Sequence, residues 1–191
     1  MILNALVEGL LDEVVAQRIV QETGHTFGRC YGKHGVGYIQ NKIVGFNRAA
    51  RGQGILCLVD LMDTKLPCAP EVVETWLPHR EPDMFFRVVV REIESWLIAD
   101  RENLANFLSV NIKWVPTDPE KLPDPKLALI NIARKSLKRS IQDSLVSRVG
   151  ASEGPLYATE MSRFVREQWD LRVARKVSTS LDKCLTRLAC L

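Results

Sequence analysis

The chain opens on M-I-L-N-A-L-V, six apolar residues in seven, a run that suits a short buried strand. Glu8-Gly9 breaks the run, and Leu10, Leu11, Val14, Val15 and Ile19 then recur at helical spacing until Thr23-Gly24. Residues 25–31 read as a second strand and G-K-H-G-V-G as a turn, since the Lys-Ser/Thr ending of a phosphate-binding P-loop is missing. His34 in that turn is either a substrate contact or an exposed loop residue. Ile39, Ile43, Val44, Phe46 and Ala50 predict a helix over 38–51, ended by Gly52-Gln53-Gly54. I-L-C-L-V at 55–59 is a further buried strand that runs straight into Asp60-Leu61-Met62-Asp63. A proline-bearing loop, a short helix at 71–77 and a second loop lead to M-F-F-R-V-V-V at 84–90, the next strongly apolar strand. A helix opens at Arg91 and is expected to reach about Leu108.

From 109 to 125 the prolines Pro116, Pro119, Pro123 and Pro125 predict a semi-rigid connector anchored by Trp114. A long helix is expected over 126–146, with Leu127, Ile130, Leu137, Ile141 and Leu145 on one side. Arg134, Lys135, Lys138 and Arg139 fall on the other, as a solvated face or a nucleic-acid contact. A loop at 147–155 and helices at 156–169 and 172–191 complete the reading. Strands alternating with helices predict an α/β domain with a small parallel sheet flanked by helices over 1–110. The proline-rich connector occupies 111–125, and a helical, basic part 126–191.

Composition narrows the class. A hydrophobic content of 46% with 26% charged residues gives a chain with ample apolar side chains to bury. No apolar run approaches the roughly 20 residues that cross a bilayer, and no basic segment precedes the first strand, which is unlike a signal peptide. The five cysteines, Cys30, Cys57, Cys68, Cys184 and Cys190, are odd in number and form no C-x-x-C pair. That argues for reduced thiols in a cytoplasmic protein, against a zinc site or a disulfide framework. The net charge of +3 hides an asymmetry: residues 1–125 carry 13 basic and 17 acidic side chains, and residues 126–191 carry 13 and 6. Such a distribution fits a phosphate backbone held by the basic part, or docking onto an acidic protein.

The candidate chemistry lies in carboxylates at strand ends. Glu8 follows the first strand, with Asp12 one helical turn on; Asp60 and Asp63 follow the strand at 55–59, and Glu92 the strand at 84–90. In a parallel sheet such ends share one edge, where α/β proteins place ligands. Clustered carboxylates either hold hard cations such as Mg²⁺ or Mn²⁺ or act as an acid–base pair. Acids crowded on one lip repel one another without a cation, which favours the metal. Two ions about 4 Å apart would then activate water for phosphodiester cleavage. A glycosidase pair fits less well, and no nucleophilic serine or cysteine motif is present.

Several stretches carry a family resemblance. V-E-G-L-L-D-E, D-L-M-D and R-E-I-E-S-W-L-I-A-D resemble an uncharacterised prokaryotic family placed with the TOPRIM-fold proteins. So do G-F-N-R-A-A, P-C-A-P, L-P-D-P-K and G-P-L-Y-A-T-E-M-S-R-F-V-R-E-Q-W-D, so that the likeness covers nearly the whole chain. The resemblance implies a TOPRIM-like core related to the OLD-type nucleases, encoded beside an AAA- or ABC-type ATPase in phage-defence or mobile-element systems. It matches Glu8, Asp12 and Asp60 with a second acid to the family's acids; together with the strand-end carboxylates this predicts a Mg²⁺- or Mn²⁺-dependent nuclease acting on DNA, with Glu8, Asp60 and Asp63 catalytic. Glu8, Asp12, Asp60, Asp63 and Glu92 would hold metal, with Glu94 in reserve. Arg91, Arg134, Lys135, Lys138 and Arg139 would contact nucleic acid, although Arg91 equally suits pairing with a neighbouring acid. One departure stands out: the family pattern is D-x-D, but here Met62 falls where the second acid is due. Either Asp63 returns to the site through a one-residue insertion, or that ligand is lost. The alternatives are a non-catalytic adaptor or sensor that binds the ATPase, and a hydrolase or transferase acting on phosphorylated small molecules.

Overall fold

A computed structural model describes residues 1–150 and 153–191, so part of the loop expected at 147–155 lies outside the described residues. The chain forms two compact units, Met1–Val90 with Asp182–Leu191, and Arg91–Leu181.

The first unit is built on a sheet of four parallel strands: β1 (Ile2–Val7), β2 (Thr26–Gly32), β3 (Gly54–Asp60) and β4 (Met84–Val89), in the order β2-β1-β3-β4. Helices α1 (Leu10–Glu22), α2 (Gly35–Ala49) and α3 (Ala69–Trp76) make the crossovers. The expected α/β class with a small parallel sheet is thus observed. Alternation along the strands sorts the core into two layers. Leu6, Ile55, Cys57, Val59, Met84, Phe86 and Val88 pack with Ile39 and Ile43 of α2 and with Val72 and Trp76 of α3. Leu3, Ala5, Val7, Leu56, Leu58, Phe85 and Val89 occupy the opposite face and are buried as well. Chain 182–191 belongs to this unit: Leu188 is buried, and its carbonyl accepts a bond of 2.8 Å from His25 Nε2.

Strand order decides where a ligand can enter. From β1 the chain steps outward to β2, then returns past β1 to β3 and continues to β4. The reversal lies between β1 and β3, and the crevice outside the C-terminal ends of those two strands is the usual binding place in open α/β sheets.

The second unit is helical: α4 (Ile93–Ile98), α5 (Arg101–Leu108), α6 (Pro125–Ala133), α7 (Arg139–Leu145), α8 (Tyr157–Glu167) and α9 (Leu171–Ala174). A tenth helix, α10 (Thr179–Ala189), begins here and contributes its residues from Asp182 onward to the sheet unit. Trp96 and Trp169 lie in this unit's core; the Trp96 indole donates to Ser180 Oγ and the Trp169 indole to the Trp96 carbonyl.

Three helices expected as continuous are broken, each at a polar side chain with a better use for the backbone. The helix expected from Arg91 to Leu108 divides at Asp100, which is buried and accepts from Asp170 N–H at 2.7 Å and from Asn103 at 2.9 Å. The helix expected over 126–146 divides between α6 and α7. There Ser136 Oγ donates to the Leu108 carbonyl at 2.6 Å and accepts from Lys138 N–H. Leu137, assigned to the apolar stripe, is 91% exposed, because the break turns it away from the core. The helix expected over 172–191 divides before Ser178, whose hydroxyl donates to Glu120 at 2.7 Å. Residues 111–125 fold within this unit, where Val115 is buried and its carbonyl receives the Arg101 guanidinium.

Candidate functional site

At the reversal point two backbones and an acid are tied together. Glu8, just past β1, accepts the Asp60 N–H through Oε1 at 2.9 Å, which fixes its carboxylate across the ends of β1 and β3. Its own carbonyl accepts from Gly35 N–H at 3.1 Å, and the Val7 carbonyl accepts from Lys33 N–H at 2.9 Å. These bonds fold the glycine loop onto the same lip. Gly32 is needed there: its φ is +92° and a Cβ would stand 2.2 Å from the Val7 carbonyl oxygen. The stretch read as a turn over 32–37 therefore ends in the first turn of α2, which starts at Gly35.

Asp12 is buried on the first turn of α1, and a Cβ at Gly9 would come within 3.1 Å of its Oδ2, so the small residue leaves space for the carboxylate. Asp63 rides a 3₁₀ turn over Met62–Thr64, close enough for its charge to act on Glu8. Of the two residues that could follow Asp60 in the expected pattern, it is Asp63 whose charge acts on Glu8. Burial first, then the charges of Asp63 and Asp12, push the Glu8 carboxyl up to about 8, while the Asp60 N–H pulls the other way. Glu8 is therefore held toward its protonated form at neutral pH.

Among the described residues, no three of His, Cys, Asp and Glu are set around a single point as metal ligands. The donor chemistry fits a hard divalent cation all the same: oxygen ligands alone, mutually repelling, with a proton in the place of positive charge.

Glu92 and Arg91 belong to the second unit. Glu92 stands at the N-cap of α4, and its Oε2 accepts the Lys126 N–H at 3.1 Å. Arg91 donates to the Pro123 carbonyl at 3.1 Å. Glu94 is fully enclosed and accepts the Tyr157 hydroxyl at 3.0 Å; burial pushes its carboxyl up to about 7, against the opposing charge of Lys126. Lys126 lies over the Tyr157 ring and pairs with Glu153. Sequence reasoning missed this Lys126–Tyr157–Glu153 group, although L-P-D-P-K and G-P-L-Y both supply members of it.

The basic residues lie at the break between α6 and α7 and not along one helical face. Arg134 and Arg139 line a cavity of about 150 Å³ together with Arg148, Gln142 and Asp143. Arg134 donates to the Gly150 carbonyl, and Arg139 and Arg148 both reach Asp143. Lys135 sits apart, its ammonium 3.9 Å from the Trp114 ring centroid. Arg148 was not among the expected contacts; it sits in the loop after α7, outside any periodic pattern.

No family model, curated protein or solved structure matches this chain. Among the described residues no helix is long and apolar enough to cross a membrane.

Proposed function

We propose that the protein is a TOPRIM-like, metal-dependent nuclease that hydrolyses DNA phosphodiesters, working as the effector of an AAA- or ABC-type ATPase in a prokaryotic defence or mobile-element system. The observation that carries this reading is the Glu8 carboxylate bound to the Asp60 N–H at the point where strand order reverses, with Asp12 and Asp63 beside it. Glu8, Asp12, Asp60 and Asp63 would hold Mg²⁺ or Mn²⁺, and the ion would supply water activation and charge neutralisation at the leaving oxygen. The chain's own part is to fix Glu8 through the Asp60 amide and to give up the Glu8 proton as the cation enters. The basic cavity of Arg134, Arg139 and Arg148 supplies charge for a phosphate backbone. Five free thiols accord with a reducing, cytoplasmic setting.

The test is cleavage of supercoiled plasmid and of single-stranded DNA with Mg²⁺ or Mn²⁺, for the wild type, Glu8→Gln and Asp60→Asn. Cutting by the wild type that either substitution reduces at least a hundredfold, with the circular dichroism spectrum unchanged, is the expected result. Cutting that persists in both variants would remove the assignment. If the wild type cuts nothing even with its ATPase partner present, the adaptor reading takes over.

A further inference from the structure

Away from the acids, the sheet unit carries a second concentration of charge, this time positive and without a counterweight. Arg87 lies on β4, an outer strand, on the same face as Phe85. Its side chain is half-buried, and its Nε is closed off from solvent with no hydrogen-bond partner. A lone inward charge on an outer strand is a familiar guard against pairing with another sheet. A second guanidinium makes this one different.

Arg187 lies one helical turn beyond Cys184 on α10, and its guanidinium sits 5.8 Å from the Phe85 ring centroid. Arg80 is exposed in the loop before β4. Burial of Arg87 is the main force holding its pKa below the ordinary arginine range, and the charges of Arg187 and Arg80 push the same way. Cys184 provides no offsetting charge, since its buried thiol is pushed up to about 12 and stays neutral. Among the described residues no ion pair joins any of these three arginines to an acid.

We propose that Arg87 and Arg187 form an oxyanion site that takes a phosphate group, free or within a nucleic-acid strand. Planar guanidiniums match phosphate oxygens through paired N–H bonds, and a partly desolvated arginine gains more from such a partner than an exposed one. The Phe85 ring beneath Arg187 adds orientation. The site is separate from the acidic lip, so it does not depend on the nuclease reading.

Thermal unfolding and calorimetric titration of the full chain, without divalent metal, test it. Sodium phosphate is compared with sodium chloride at matched ionic strength. We expect a saturable phosphate-specific rise in Tm for the wild type, with affinity reduced at least tenfold in the exposed Arg187→Gln variant and abolished in Arg87→Met. Equal Tm in the two salts, or a phosphate response unchanged by Arg187→Gln, overturns the site. A short single-stranded oligonucleotide in the same titration separates the sources. A parallel tenfold loss for the oligonucleotide assigns the site to a strand's backbone, and a loss confined to inorganic phosphate assigns it to the free anion.

Discussion

Glu8 shows what one residue's surroundings do to its chemistry. Its folded pKa of about 8 lies above the ordinary value of 4.5, so the folded protein keeps a proton that the unfolded chain releases across that window. Stability therefore falls as pH rises from about 4.5 to about 8 and levels off above. A Gln at this position keeps the acceptor for the Asp60 N–H and removes the charge. Glu8→Gln should thus match the wild type near pH 5 and exceed it by about 1–2 kcal/mol at pH 9, after discounting for partial exposure. Urea titrations at the two pH values measure this, and an equal difference at both would contradict it. The position of Glu8 was legible in the sequence because an acid directly after a buried strand is unusual. Its raised pKa was not legible, because Asp63, one of the charges that push it up, arrives through a 3₁₀ turn no periodicity announces.

At the level of elements, the strands were easier to read than the later helices. Strands β1, β3 and β4 are apolar runs bounded by Gly, Pro or an acid, and burial on both faces leaves few other conformations for them. The helices of the second unit are interrupted by serine and aspartate side chains whose partners are distant in sequence. Ser136 bonds to Leu108, and Asp100 to Asp170. A window-by-window reading sees Leu127, Ile130, Leu137, Ile141 and Leu145 as one stripe and has no access to those partners. The break makes its own prediction. Ser136→Ala leaves the buried Leu108 carbonyl without its hydroxyl donor and should lower stability by about 1–3 kcal/mol. Equilibrium unfolding measures the loss; no change would mean that the break is held by Gln142, which bonds the Ser136 carbonyl at 2.8 Å.

Over the whole chain, charge and connectivity follow different divisions. The charge imbalance separates 1–125 from 126–191, whereas the compact units exchange partners at Val90 and Leu181. Sequence alone gave no sign that 182–191 would join the sheet, since its apolar positions Cys184, Leu185 and Leu188 suit any helix packed on any core. Ending the chain after Leu181 would remove these three buried residues and the His25–Leu188 bond. We expect such a truncation to lower the Tm of the sheet unit by more than 10 °C, read by hydrogen exchange at β1 and β3; unchanged protection there would contradict it. The same return sets an order of events during synthesis. The four strands leave the ribosome early, yet the helix segment that completes their unit is made only after residues 91–181. At about 5–20 residues per second, that interval lasts several seconds. During it Phe85 and its neighbours lack their last cover, so the nascent sheet is the species a chaperone would meet.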